Sequence, residues 1–380
     1  MVNSRRAAAF AMSRWLSTKD FPSDLLPRSE GRALAQDILY TAIRRLRPLR
    51  KVLGELLSQW PKGELEALLY VGAAQILYMP SIPDFAAVNE TVNAAKISGN
   101  PGVVKVVNGV LRNLLRRRDE IERMLAASPL ELRESFPGAI IKRWTDRFGH
   151  DGAAQLAAWH NEPAETFLAY RDGSFSALAR GTKVEDVEGF AHGAFIVQDP
   201  ATRHAVELLD IHKGDVIFDA CAAPGGKSIQ AAWRGANVVA CEINPKRRRR
   251  LEENIRRTGV DIRVTSEMDG TVYSKILVDA PCSNTGVFRR RPDARWNWSE
   301  EKLAQLVRLQ AEILDACARR LAPGGRLVYS TCSNEIEENA AQVEAFLSRH
   351  REFEFIDALE SVPFQTQCDG AFAAAMQRRG

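Results

Sequence analysis

Short apolar runs recur through the second half of the chain, and helical patterns separate them. Val216–Asp219, Val238–Cys241, Ile262–Val264, Ile276–Val278 and Arg326–Ser330 have strand length. Helical patterns begin at Lys227 and fill Pro245–Thr258 and Glu300–Leu321. Apolar runs this short, without polar alternation, predict strands covered on both faces. Strand–helix alternation then specifies a parallel, doubly wound sheet. Ligands of such sheets bind at the carboxyl ends of the strands. The unusual residues of this sequence fall at those ends.

The first 128 residues read differently. Gly31–Leu46, Leu65–Tyr78 and Val103–Arg117 place apolar residues at helical spacing, and prolines punctuate the segments. This predicts a helical bundle over 1–128. Residues 129–196 are mixed, with helical patterns followed by strand-like pieces at Thr166–Tyr170 and Ala194–Val197, and 197–380 carry the α/β pattern. Charge follows this division. Residues 1–140 hold 20 Lys and Arg against 14 Asp and Glu, although the whole chain of 380 residues is only +4. A basic N-terminal third hints at an anionic partner. Arg14 interrupts the apolar run of a would-be secretory signal, and no stretch has the length of a membrane span. Six cysteines without CxxC pairs, beside six scattered histidines, fit neither a disulfide scaffold nor a structural zinc site. The expectation is a soluble cytoplasmic monomer with no bound metal.

Four features carry chemistry. Val216-Ile217-Phe218-Asp219 runs into Ala220-Cys221-Ala222-Ala223-Pro224-Gly225-Gly226-Lys227, where small residues let a nucleotide approach a helix N-terminus. The loop matches neither GxGxxG nor a phosphate-binding P-loop, which disfavours a nicotinamide dehydrogenase. Glu242 follows the next strand, 17 residues after Gly225, at the spacing of an acid that accepts from ribose hydroxyls. Asp279-Ala280-Pro281-Cys282 follows a third strand, and Tyr329-Ser330-Thr331-Cys332 closes a fourth. Buried cysteines are usually small hydrophobes, which suits Cys241 and Cys317. Two cysteines in polar settings at one sheet edge suggest thiolate addition to an electron-poor ring. Adding a thiolate at cytosine C6 makes C5 nucleophilic toward a methyl donor, and an acid near N3 offsets the developing charge. A base must then remove the C5 proton. Spacing alone does not decide which cysteine attacks.

Asp-Ala-Cys-Ala-Ala-Pro-Gly-Gly-Lys-Ser from Asp219, Asp-Ala-Pro-Cys-Ser-Asn-Thr-Gly-Val from Asp279, Arg-Arg-Arg-Pro-Asp-Ala-Arg-Trp from Arg289 and Tyr-Ser-Thr-Cys-Ser from Tyr329 stand in that order. Together with Val197-Gln198-Asp199 and Asp369-Gly370-Ala371-Phe372, this set resembles the RNA cytosine-5 methyltransferases of the RsmB/Sun (Fmu) type. Ala86–Val92 and Val107–Asn113 resemble the NusB-like RNA-binding domain of such enzymes. The resemblance implies a Rossmann-like α/β methyltransferase domain behind an all-α NusB-like bundle, with a small α+β RNA-binding subdomain between them. It implies S-adenosylmethionine as donor and 16S ribosomal RNA as partner. It places Cys221, Ala222, Ala223, Pro224, Gly225, Gly226, Lys227 and Glu242 around the cofactor, with Asp269, or Glu267 nearby, at the adenine. It assigns Cys332 as nucleophile and Cys282 to product release. Asp279 and Lys227 belong to both cofactor site and catalytic centre.

Basic clusters remain. Lys246–Arg250 opens a helix, and such runs are most often solvated faces. Arg289, Arg290 and Arg291 lie a few residues beyond Cys282, which suggests phosphate contacts beside the target base. Tyr170 and Trp296 suit either base stacking or a core.

Overall fold

A computed structural model describes residues 3–27 and 31–380. The chain divides into two compact units, one of residues 1–162 with 291–297, the other of residues 163–290 with 298–380. The segment 129–196, expected as a separate subdomain, is therefore shared between them.

The first unit is helical among its described residues. Its centre is the helix Glu64–Tyr78, whose residues Ala67 to Ile76 are all buried. A helix apolar on every side is covered on every side. Ser4–Thr18, Arg32–Arg44, Asp84–Lys96 and Pro101–Arg116 pack against it. The closest approach is at Gly72, where a Cβ would come within 2.5 Å of Leu111 Cδ1. Side-chain caps start two of these helices. Asn3 accepts from the amides of Arg5 and Arg6, and Asn100 accepts from Gly102 with Pro101 at the first position. Gly138–Trp159 bends at Gly149, whose φ of 72° is left-handed. The late segment 291–297 belongs to this unit. There Arg295 is fully buried, and Trp296 Nε1 donates to Ile43 O at 2.9 Å. Trp296 is thus a packing residue rather than a base-stacking platform.

The second unit holds two sheets. Strands β1 (Phe167–Tyr170), β2 (Phe175–Ala177) and β3 (Phe195–Val197) form a small antiparallel sheet with β1 in the middle. Tyr170 there packs edge-on against Phe195. The large sheet comprises β4 (Val216–Asp219), β5 (Asn237–Cys241), β6 (Ile262–Thr265), β7 (Tyr273–Asp279), β8 (Leu321–Thr331), β9 (Phe353–Ser361) and β10 (Ala371–Arg378). Their order is β6-β5-β4-β7-β8-β10-β9. β4 to β8 are parallel, and β10 runs antiparallel between β8 and β9. β9 and β10 were not expected from the sequence, and β8 begins at Leu321 rather than Arg326.

Alternation along the strands feeds two cores. Ile217, Leu277, Val328 and Ala375 face one layer with Ile229 and Leu251. Phe218, Ile276, Tyr329 and Met376 face the other with Leu314 and Phe346. Strand order reverses between β4 and β7, the place where a doubly wound sheet opens a crevice at its carboxyl edge.

Candidate active site

β4 delivers the first acid. Asp219 is buried, with Oδ2 accepting from Ser228 Oγ at 2.5 Å and Oδ1 from the Cys221 amide at 3.3 Å. Burial pushes its pKa up to about 6, against the pull of the Ser228 hydrogen bond. The small-residue loop then turns at Gly225, φ 107°, into the helix Gly226–Trp233. A Cβ on Gly225 would meet Leu251 at 2.8 Å, and one on Gly226 would meet Gln198 at 3.0 Å. The loop is tight because neighbours fill the room a side chain would need. Cys221 beside it is a thiol held well above its ordinary pKa by burial and by Asp219 and Asp279, so it is no nucleophile.

β5 delivers Glu242, which is buried. Its Oε1 accepts from the Asn244 amide at 2.9 Å, and its Oε2 lies 3.3 Å from Arg247 Nε. Arg247 also bonds Ala223 O, and Arg248 bonds Glu242 O. Arg247 and Arg248 therefore brace this acid, while the run as a whole remains a largely solvated face. A carboxylate has about four acceptor positions, so two remain for a ribose diol.

β7 and β8 deliver the reactive set. Their register pairs Asp279 with Ser330, which brings the two following loops side by side. Asp279 Oδ2 meets Lys227 Nζ at 2.6 Å, and Asp279 Oδ1 accepts from Ser330 Oγ at 2.9 Å. Burial alone would depress the Lys227 ammonium. The charge and hydrogen bond of Asp279 prevail, with Cys332 adding, and hold it above its ordinary pKa. Cys282 Sγ and Cys332 Sγ lie 3.3 Å apart, and Cys332 Sγ lies 3.4 Å from Asn284 Oδ1. The Cys332 hydrogen bond, reinforced by burial, raises Cys282 well above its ordinary pKa. The contact with Cys332 and burial both favour the protonated form of Cys282.

A cavity of about 380 Å³ reaches the Lys227–Asp279 pair. Lys227, Asp219, Asp279, Ala222 and Gly226 line it, with Gln198 and Asp369 opposite. Gln198 Oε1 and Asp369 Oδ1 are buried there without a partner. Orphaned acceptors beside a small-residue loop, a buried acid and a carboxylate with spare lone pairs fit a nucleoside with an amino acid tail, the make-up of S-adenosylmethionine. Among the described residues no group of His, Cys, Asp or Glu could hold a metal ion.

Four of the expected site residues have internal partners. Arg289 is buried and donates to Pro163 O at 2.6 and 3.1 Å. Arg290 bridges Asp199 at 2.8 Å, Asp369 and Glu165 O. Arg291 pairs with Asp293 at 3.0 Å and lies over Phe21. The triplet expected to meet phosphates is instead consumed by internal acceptors. Asp269 is committed to its own turn, accepting from the Thr271 amide, Arg263 Nη2 and Tyr273 Oη. Those bonds, led by Thr271, pull it down to about 2. These bonds shape the turn after β6.

Sequence reasoning assigned no role to Asp199, Asp369, Ser330 or Asn284. The first two lie in stretches quoted above for the family resemblance. For the last two the only signal was proximity to a cysteine.

Comparison with known proteins places this geometry. The NusB family description matches residues 2–116, and that of the 16S rRNA methyltransferase RsmB/F matches residues 206–376. Ribosomal RNA small subunit methyltransferase B of Serratia proteamaculans is 33% identical, aligned over 98% of this chain and 98% of that protein. Its counterpart from Shewanella oneidensis is 34% identical over 85% of this chain and 83% of its own. The solved structure of PH0851 has a TM-score of 0.79 at 20% identity, covering 99% of this chain and 98% of its own. A methyltransferase homolog protein from Pyrococcus horikoshii gives 0.59 at 20% identity, covering 67% of this chain and 99% of its own. These two likenesses show the fold. Fold and site together define an RNA methyltransferase. The chain belongs to the RsmB/F family of 16S rRNA methyltransferases.

Proposed function

We propose that this enzyme methylates C5 of a cytosine in 16S ribosomal RNA, using S-adenosylmethionine and a covalent bond from Cys332 to cytosine C6. The observation that carries the reading is the pair of sulfurs 3.3 Å apart beside the Lys227–Asp279 pair. One thiol cannot serve both as leaving nucleophile and as proton carrier in the same step, whereas two adjacent thiols divide the work. S-adenosylmethionine, when bound, supplies an electrophilic methyl group. Its ribose would be held by Glu242 and the rest of it by residues 221–227. Cys332 Sγ forms a bond to C6, and electron density moves to C5. The Lys227 ammonium faces the thiolate and offsets its charge. Asp279 holds Lys227 and accepts from the base. After C5 gains its methyl group, a base in the site takes the C5 proton, the C–H electron pair restores the C5–C6 double bond and Cys332 leaves C6 as a thiolate. Cys282 supports this release step.

The target base must be unstacked to reach this depth. The basic helical unit, net +6 over residues 1–140, supplies the sequence-independent attraction to RNA.

Two variants test the reading. Cys332→Ala is expected to abolish methyl transfer from labelled cofactor to rRNA and to form no adduct. Cys282→Ala is expected to accumulate a denaturant-resistant protein–RNA adduct. An adduct on Cys332→Ala would refute the assignment. Bisulfite sequencing of rRNA from a deletion strain reads the target base.

A further inference from the structure

Glu338 is fully buried, and no step above uses it. It closes the short turn Ile336–Glu338, beyond Cys332. Four donors converge on its carboxylate. Oε1 accepts from the Ser283 amide at 2.9 Å and from Gln310 Nε2 at 3.0 Å. Oε2 accepts from Ser283 Oγ and Ser333 Oγ. Ser283 directly follows Cys282, and Ser333 directly follows Cys332. One carboxylate therefore collects both residues that follow the two cysteines.

The surroundings stiffen this link. Gln310 also donates to Pro281 O at 2.9 Å, so one amide spans the cysteine loop and the acid. Tyr329 Oη donates to Glu338 O at 2.7 Å, which fixes the turn to β8. Thr285 Oγ1 lies 3.1 Å from Ser333 Oγ, and the Gly286 amide donates to Cys332 O at 3.0 Å. An amide in place of the carboxylate would offer one acceptor oxygen where four donors need two. The site is matched to a carboxylate.

We propose that Glu338 is a positioning residue that clamps the Cys282 and Cys332 loops together and so sets the contact between the two thiols. Its function in catalysis rests on the two-thiol reading above; its geometric part does not. Its charge also adds to the hydrogen bond and burial that keep Cys282 protonated.

The test uses the full chain and diamide. Diamide draws two electrons and two protons from Cys282 and Cys332, becomes a hydrazine, and leaves a sulfur–sulfur bond that peptide mapping locates. Wild type is expected to form the 282–332 link rapidly. Glu338→Gln and Glu338→Ala are expected to form it on the order of tenfold more slowly, because loosened loops hold the thiols in register less often. Methyl transfer is expected to lose kcat on the order of 100-fold at near-constant KM for RNA, as for a misplacement of about 1 Å. In Glu338→Gln the onset of Cys282 alkylation should move to lower pH. Glu338→Gln keeps the side-chain volume and carries the test if Glu338→Ala does not fold. Cross-linking and kcat at wild-type levels in folded Glu338→Gln would overturn the proposal, as would a lower melting temperature with both readouts unchanged. Wild-type protein that cross-links but transfers no methyl group to rRNA would sink the cytosine reading alone.

Discussion

Replacing Arg295 with methionine should cost the helical unit about 2–4 kcal/mol, because buried oxygens that lose their donor cost about 1–3 kcal/mol each. The side chain is fully buried. It donates to Asn161 Oδ1 at 3.0 Å and His160 O at 3.1 Å, with longer bonds to Ser135 O and Arg44 O. Its guanidinium carbon lies 3.8 Å over the Phe136 ring. Two good bonds from a charged donor are worth roughly 1.5–3 kcal/mol each, and a desolvated cation–π contact about 2. Against that gross gain stands the cost of burying a guanidinium, which holds its pKa well below the ordinary value, with Arg44 and Arg45 repelling it. Methionine fills most of the volume but leaves the carbonyl oxygens without donors. Lysine keeps the charge yet lacks the planar fork, so Arg295→Lys should also destabilise. Urea unfolding of the full chain, followed by far-UV circular dichroism, reads the effect. The helical transition should move to lower urea while the transition of the sheet unit stays in place. An unchanged helical midpoint in Arg295→Met would refute the reasoning.

Further outcomes follow from the site. Asp219 is raised to about 6, so the folded state binds its proton more tightly than the unfolded chain. Its contribution is then greatest below the ordinary value of 3.8 and is lost as pH climbs through about 6. Wild type should therefore lose about 2 kcal/mol between pH 4 and 7 relative to Asp219→Asn, measured by urea titration at each pH. Lys227→Met should lower kcat on the order of 100- to 1000-fold, read by methyl transfer at saturating RNA, because it removes the cation facing the Cys332 thiol. Gly286→Ala should impair methyl transfer and lower the melting temperature, because its Cβ would come within 2.5 Å of Gly370 O, a backbone atom that cannot step aside.

The parallel strands were legible because burial on both faces writes itself as a plain apolar run. Ile276–Val278 and Val238–Cys241 fall inside the observed β7 and β5. β10 was not, because Ala373-Ala374-Ala375 carries no strand propensity. Its position between β8 and β9 decides its form. β9 is the sheet edge, and most of its residues are exposed, so no apolar run marks it. The two candidate cysteines were legible as motifs, and the β7–β8 register turns them into one contact. The arginine triplet misled because a sequence displays charge but not its acceptors. Pro163 and Asp199 lie 126 and 91 residues from the arginines they satisfy. Glu338 left no mark for the same reason, since three of its four donors come from Ser283 and Gln310, 55 and 28 residues away.

The assignment of residues 291–297 to the helical unit has a consequence for how the protein is made. A nascent chain normally completes its N-terminal domain while the rest is still being translated. Here the plug that fills the pocket of Phe136 and Asn161 is encoded long after the helices around it. The first unit waits, unfinished, until residue 297 has left the ribosome, by which time β4 to β7 have already emerged. A gene cut after residue 162 would yield the helices without their plug, so this N-terminal unit is not a module that can simply be transplanted.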